Sequence, residues 1–90
     1  MKIYLIETGQ CCQHGTIVNA YKRLADCLTD FEHLQEVEER KAYNTVTTGL
    51  NEYDKTPGCI CGFWSGPTTG NTHANGWRVR EVEVLENSLY

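Results

Sequence analysis

The residues able to do chemistry gather in two glycine-flanked places. Cys11-Cys12-Gln13-His14 holds a Cys-x-x-His spacing, and Cys59-Ile60-Cys61 holds a Cys-x-Cys. Together Cys11, His14, Cys59 and Cys61 would offer zinc three thiolates and an imidazole, a donor set that suits its tetrahedral preference. A bound metal would also reinforce a small core. Against zinc stands the lack of any Cys-x-x-Cys knuckle. Free cysteine, moreover, usually behaves as a small buried apolar side chain, which is the competing reading for Cys27, Cys59 and part of the Cys11-Cys12 pair. Nucleophilic catalysis would need a thiolate, a nearby base and a third group to orient the base. Cys12 or Cys61 can be paired on paper with His14 or His73, but no nucleophile elbow and no helix start follows either cysteine. His33 lies among acids, and Glu36, Glu38 and Glu39 read as a solvated helix face. The expectation is a protein that is not an enzyme.

A second feature is an absence of charge. From Thr56 to Trp77 the chain reads TPGCICGFWSGPTTGNTHANGW, with both prolines, both tryptophans and five of the eight glycines. Such a stretch cannot be helical, and only its CICGFW portion reads as strand. Its remainder, SGPTTGNTHANG, reads as an exposed recognition loop. Phe63, Trp64 and Trp77 could stack on a ring. Thr68, Thr69, Asn71 and His73, with exposed backbone N–H groups, could hold a base or a phosphate. Arg78 and Arg80 follow directly as phosphate partners. The Gly-Lys-Ser/Thr end of a P-loop is missing. The same residues also fit the centre of a protein interface, since Trp, Tyr and Arg dominate such centres. In that reading Asp54, Lys55, Arg78 and Arg80 form its polar rim. A third alternative makes Trp64 and Trp77 core residues that pin the loop to the sheet, with Asn75-Gly76 as a hairpin turn.

The elements that must position these residues are legible in outline. Met1 to Glu7 alternates Ile3 and Leu5 on one face with Tyr4 and Ile6 on the other, the pattern of a strand covered on both sides. Thr16 to Tyr21 is β-prone and reads with the first strand as a hairpin. Between Lys22 and about Lys41, Leu24, Cys27, Leu28, Phe31 and Leu34 recur at helical steps. Thr29-Asp30-Phe31-Glu32 matches a capping box, which would allow the helix to break there. On the outer face Glu36 precedes Arg40 by four residues, a favourable order for an ion pair. Tyr43 to Thr48 is β-branched and extended, and Asp54 to Gly58 is a turn. The last strand spans Trp77 to Leu85. Its apolar phase changes between Trp77/Val79 and Val82/Val84, which predicts a bulge near Arg80-Glu81.

Size and charge bound the rest. Ninety residues form one domain near the lower limit for unaided folding, so association with a second copy would help it. Eight basic and twelve acidic residues give a net charge of −4 and a pI near 5.2. That weighs against direct nucleic-acid binding, which needs clustered Lys and Arg. No run is long enough for a membrane span or for the core of a signal peptide. With an odd number of cysteines, these features lead to the expectation of reduced thiols and a cytoplasmic location.

The expected architecture is α+β: a small antiparallel sheet in the order β-β-α-(β)-loop-β, with one main helix on one face and a loop-rich insertion at about 44–76. The opening MKIYLIE, the Tyr21 to Leu28 entry into the helix and the closing WRVREVEV resemble small ββαβ proteins of bacteria and their phages. The resemblance covers about half the chain and implies the fold but no site. Together with the small size, the single domain and the lack of a catalytic motif, it leads to the expectation of a phage-type accessory or anti-defence inhibitor in the host cytoplasm, blocking a host protein through its uncharged aromatic loop. The alternatives are a protein that sequesters a nucleotide signal and a zinc-stabilised binding module.

Overall fold

In the computed structural model, which describes residues 1–10, 16–41, 44–49, 57–67 and 75–85, five antiparallel strands and one helix make two layers. The elements run β1 (Lys2–Gln10), β2 (Thr16–Tyr21), α1 (Leu24–Glu39), β3 (Asn44–Thr48), β4 (Cys59–Pro67) and β5 (Asn75–Glu83). The strand order is β2-β1-β5-β4-β3. The expected α+β sheet with a helix on one face is therefore what forms. The segment expected to be a loop-rich insertion supplies two of the five strands, β3 and β4.

The centre is β5. It pairs with β1 from Lys2↔Glu83 to Gln10↔Asn75 without a break, so the first and last described strands lie side by side. The expected bulge in β5 is absent. The irregularity sits instead on β4, where Cys59 pairs with Arg80 and Cys61 with Val79, leaving Ile60 unopposed. The change of apolar phase along β5 thus reflects which face is covered, not an extra residue. Trp77 and Val79 face the helix, whereas Val82 pairs with Ile3 on the other side.

The turn into β4 has a local cause. Pro57 presets φ, and Gly58 takes φ 88°, a conformation that costs glycine little. A Cβ there would collide with the carbonyl oxygen of Glu81, whose own N–H donates to the Gly58 carbonyl at 2.8 Å. β4 then runs through Ser65-Gly66-Pro67, beyond the CICGFW expected from sequence. Likewise Asn75 and Gly76 are strand residues paired with Gln10 and Gly9, not a hairpin turn.

One helix supplies the second layer. Leu24–Glu39 is continuous, and the Thr29 hydroxyl donates back to the Ala25 carbonyl at 2.9 Å, so Thr29 is not a cap. Cys27 and Phe31 are buried, with Leu24, Leu28 and Leu34 packed around them. They meet Ile6, Phe63 and Val79 from the sheet, and Tyr4, Val46, Cys61 and Trp77 flank this cluster. Phe31 and Phe63 rings lie 5.2 Å apart and tilted, and Phe63 and Trp77 are stacked at 6.1 Å. Burying one such phenyl ring contributes about 2–3 kcal/mol.

Two polar ties fix the helix over the sheet. Near its middle, the Tyr21 hydroxyl donates to Asp30 at 2.6 Å and accepts from Asn19 at 3.1 Å. Burial first and the Asp30 bond second push the Tyr21 phenol up to about 12. Near its end, Glu38 departs from the solvated role expected of it. It is 7% exposed, and it accepts hydrogen bonds from the Ser65 hydroxyl and from Lys41, each at 2.9 Å. Ser65 is itself buried on β4. Removing one partner of a buried carboxylate costs about 1–3 kcal/mol. Ser65→Ala should therefore lower stability by about that amount, read as a lower urea midpoint at unchanged slope.

Candidate binding site

Strand alternation sends β1 and β5 side chains to two different environments. Tyr4 and Ile6 face α1 together with Trp77 and Val79. Leu5 and Glu7 point the other way, opposite Arg80 and Arg78 respectively. No helix among the described residues covers this second face. Leu5 is nonetheless 6% exposed and Glu7 only 4%.

Glu7 is buried because two guanidinium groups close over it. Arg80 grips it side-on, with Nε donating to Oε1 at 2.6 Å and Nη2 to Oε2 at 3.3 Å. Arg78 donates from Nε to Oε1 at 3.3 Å. Burial pushes the Glu7 carboxyl up, but the hydrogen bonds and charges of Arg80 and Arg78 together outweigh it and hold the group below its usual 4.5. The described cluster pairs two guanidinium groups with one carboxylate. It also anchors both arginine side chains, at 17% and 27% exposure, in defined positions.

Trp64 lies on the same face. It pairs with Gly76, next to the Gly62↔Arg78 pair. Its six-membered ring reaches over Gly76, where an added Cβ would meet ring carbons at 2.9–3.2 Å. By register Gly9, Gly62 and Gly66 share this face with Gly76. Four strand positions without side chains make room for one indole to lie against the backbone.

The binding residues expected from sequence are therefore divided. Trp64, Arg78 and Arg80 come together on the second face. Phe63 is 1% exposed in the helix-side core, and Trp77 packs beside it. Of the two tryptophans, Trp77 thus packs in the core, and Trp64 is half-buried on the other face. The Trp77 indole N–H is buried without a partner among the described residues. Thr68, Thr69, Asn71 and His73 lie outside the described residues, as do Cys11 and His14 of the proposed zinc set. Of that set, Cys61 packs against the core and Cys59 faces Arg80 across the bulge. Burial, then the neighbouring Cys59, raises the Cys61 thiol, and burial pushes Cys27 up to about 11. Both shifts disfavour the thiolate that metal binding or nucleophilic attack requires. Among the described residues no three His, Cys, Asp or Glu side chains converge as metal ligands.

Two hollows lined by described residues lie elsewhere. One, of about 240 Å³, runs between β2 and α1 past Val18, Tyr21, Asp30, His33 and Leu34. The other follows Glu32, Gln35, Glu36 and Glu39 on the outer helix surface. No described helix is long and apolar enough to cross a membrane. No protein family model, curated protein or solved structure matches the chain.

Sequence reasoning passed over Glu7 and placed Ser65 in an exposed loop, whereas Ser65 is buried on β4. A signal for Glu7 existed: a lone acid in phase with Ile3 and Leu5, and an Arg-x-Arg in one phase of the last strand. Two outcomes follow. Because its folded pKa is depressed, Glu7 adds stability above about 4.5 that is lost as pH falls through the folded value. Glu7→Gln should lower stability by about 3 kcal/mol at pH 7 and flatten the acid limb of a stability-versus-pH curve. Gly76→Ala should displace the Trp64 ring, costing about 1–3 kcal/mol and shifting tryptophan emission.

Proposed function

We propose that this chain is a non-enzymatic binding protein that blocks a partner protein, with the sheet face bearing Trp64, Arg78 and Arg80 as its contact surface. The observation that carries the reading is the side-by-side placement of one indole and two arginines held by the Glu7 carboxylate. Tryptophan and arginine carry most of the energy at interface centres. Arginines already fixed by Glu7 lose less side-chain entropy on binding, which favours affinity. The partly exposed Arg80 guanidinium suits a carboxylate on the partner. The resemblance to small bacterial and phage proteins supports a phage-type accessory or anti-defence inhibitor acting on a host protein in the host cytoplasm.

The same trio favours one alternative, a nucleotide-like ligand whose ring stacks on Trp64 and whose phosphate meets Arg78 or Arg80. A thermal-shift series with nucleotides and cyclic dinucleotides decides that alternative; a saturable rise in melting temperature would support it over the protein partner. For the favoured reading, tagged protein should retain one bacterial protein stoichiometrically. Trp64→Ala and Arg80→Gln should each reduce that capture at least about tenfold, the equivalent of 1.4 kcal/mol, while keeping the far-ultraviolet circular dichroism of the parent. Undiminished capture by both folded variants would refute this surface as the contact.

A further inference from the structure

The two edges of the sheet are treated differently. β2 carries two devices that discourage strand addition. Its pairing with β1 is irregular, with Asn19 opposite Ile6 and Ile17 opposite Glu7, so Val18 is an extra residue. Beside it, the Ala20 backbone N–H donates to the Asn19 side chain at 2.9 Å. That side chain continues through Tyr21 to Asp30 on α1. The β2 edge is thus bent, and one of its donors is occupied.

Among the described residues β3 shows neither device. Asn44–Thr48 pairs with β4 in unbroken register from Asn44↔Pro67 to Thr48↔Phe63. Its sequence, NTVTT, has no charge and no proline, and four of its five residues are β-branched. Thr47 and Thr48 are exposed. The direction of its free groups follows from one bond. Gly49 N–H donates to the Gly62 carbonyl at 2.9 Å, which makes the next pair in register a hydrogen-bonded one. Alternation then places bonded pairs at Thr47↔Trp64 and Thr45↔Gly66. The N–H and C=O groups of Asn44, Val46 and Thr48 are left pointing away from β4, and no described strand meets them.

We infer that this edge pairs with β3 of a second copy of the chain, antiparallel about a twofold axis at Val46, to make one continuous ten-stranded sheet. The strand is self-complementary in that register. Val46 meets its own counterpart, Thr45 meets Thr47 and Asn44 meets Thr48, so every cross-pair is neutral. Cross-strand threonine pairs are favourable. A hydrogen-bonded pair at Val46 is also what the outward direction of its N–H and C=O requires. A charged edge would repel its own copy in a chain of net charge −4, and this edge has no charge. The nearby end of α1 carries Glu36, Glu38 and Glu39 against Arg40 and Lys41, so the bases offset all but one of its acids. Isologous pairing closes after two copies and leaves the blunted β2 edges outermost, which stops further growth.

Sedimentation equilibrium in reducing buffer tests this, with the thiols kept from forming intermolecular disulfides. The wild-type chain should sediment at twice its 10.2 kDa mass. Thr48→Pro removes an outward donor without touching the β4 ladder, and Thr47→Lys places like charges across the axis. Each should weaken association at least about tenfold, or 1.4 kcal/mol, with unchanged circular dichroism. Amide exchange gives a readout that needs no variant: Val46 and Thr48 amides should gain protection as protein concentration rises. A single-chain mass across the concentration series would overturn the inference. So would a dimer that survives both β3 variants and dissociates with Val18→Lys on β2.

Discussion

One helix can cover only one face of a five-stranded sheet, and the rest of the molecule is arranged around that limit. α1 is 16 residues long, about 24 Å, and it places Cys27 and Phe31 over Ile6, Phe63 and Val79. The opposite face has no comparable apolar layer among the described residues. Its middle is closed by an ionic cluster, Glu7 between Arg78 and Arg80, and by an indole laid over glycine. Burial of a charge is tolerated there because the carboxylate accepts several charge-assisted hydrogen bonds at once. The residues that close this face are therefore structural, and they are also the ones that the proposed contact surface would use.

The central pairing of β1 with β5 sets up both faces. Its nine-residue register aligns Glu7 with Arg78 and Leu5 with Arg80, while Ile6 and Val79 meet on the helix side. The bulge at Ile60 on β4 lets that strand follow β5 without disturbing this register. Polar contacts then fix the helix over the sheet at two points, Tyr21 to Asp30 near its middle and Ser65 to Glu38 near its end. α1 itself carries Asp26, Asp30, Glu32, Glu36, Glu38 and Glu39 and no Lys or Arg. The acids of α1 and the Arg78–Arg80 pair lie on opposite sides of the sheet.

Much of the fold was legible because local periodicity encodes it. The alternation of Ile3 and Leu5 against Tyr4 and Ile6, and the helical spacing of Leu24, Cys27, Leu28 and Phe31, depend on neighbours a few residues apart. β4 was only half legible, since Ser65, Gly66 and Pro67 have weak strand preference and are held extended by pairing with β3 and β5. The phase change in β5 was visible, but its cause was not, because the irregularity belongs to the neighbouring strand. Glu38 looked like one more acid on a solvated face. What buries it is Ser65, 27 residues further along the chain.

By itself the sequence determined a small α+β chain with one amphipathic helix, β-prone ends and an uncharged aromatic stretch bearing Trp64 and Trp77. Those properties are sums of local preferences and need no knowledge of what lies across the sheet. Only the tertiary structure decided that Trp77 joins the helix-side core while Trp64 joins Arg78 and Arg80 on the other face. Only it brought Glu7 to those arginines, 71 and 73 residues away. The physical reason is that a strand offers two faces of equal backbone cost. Which face holds the core depends on register with strands that are remote in sequence.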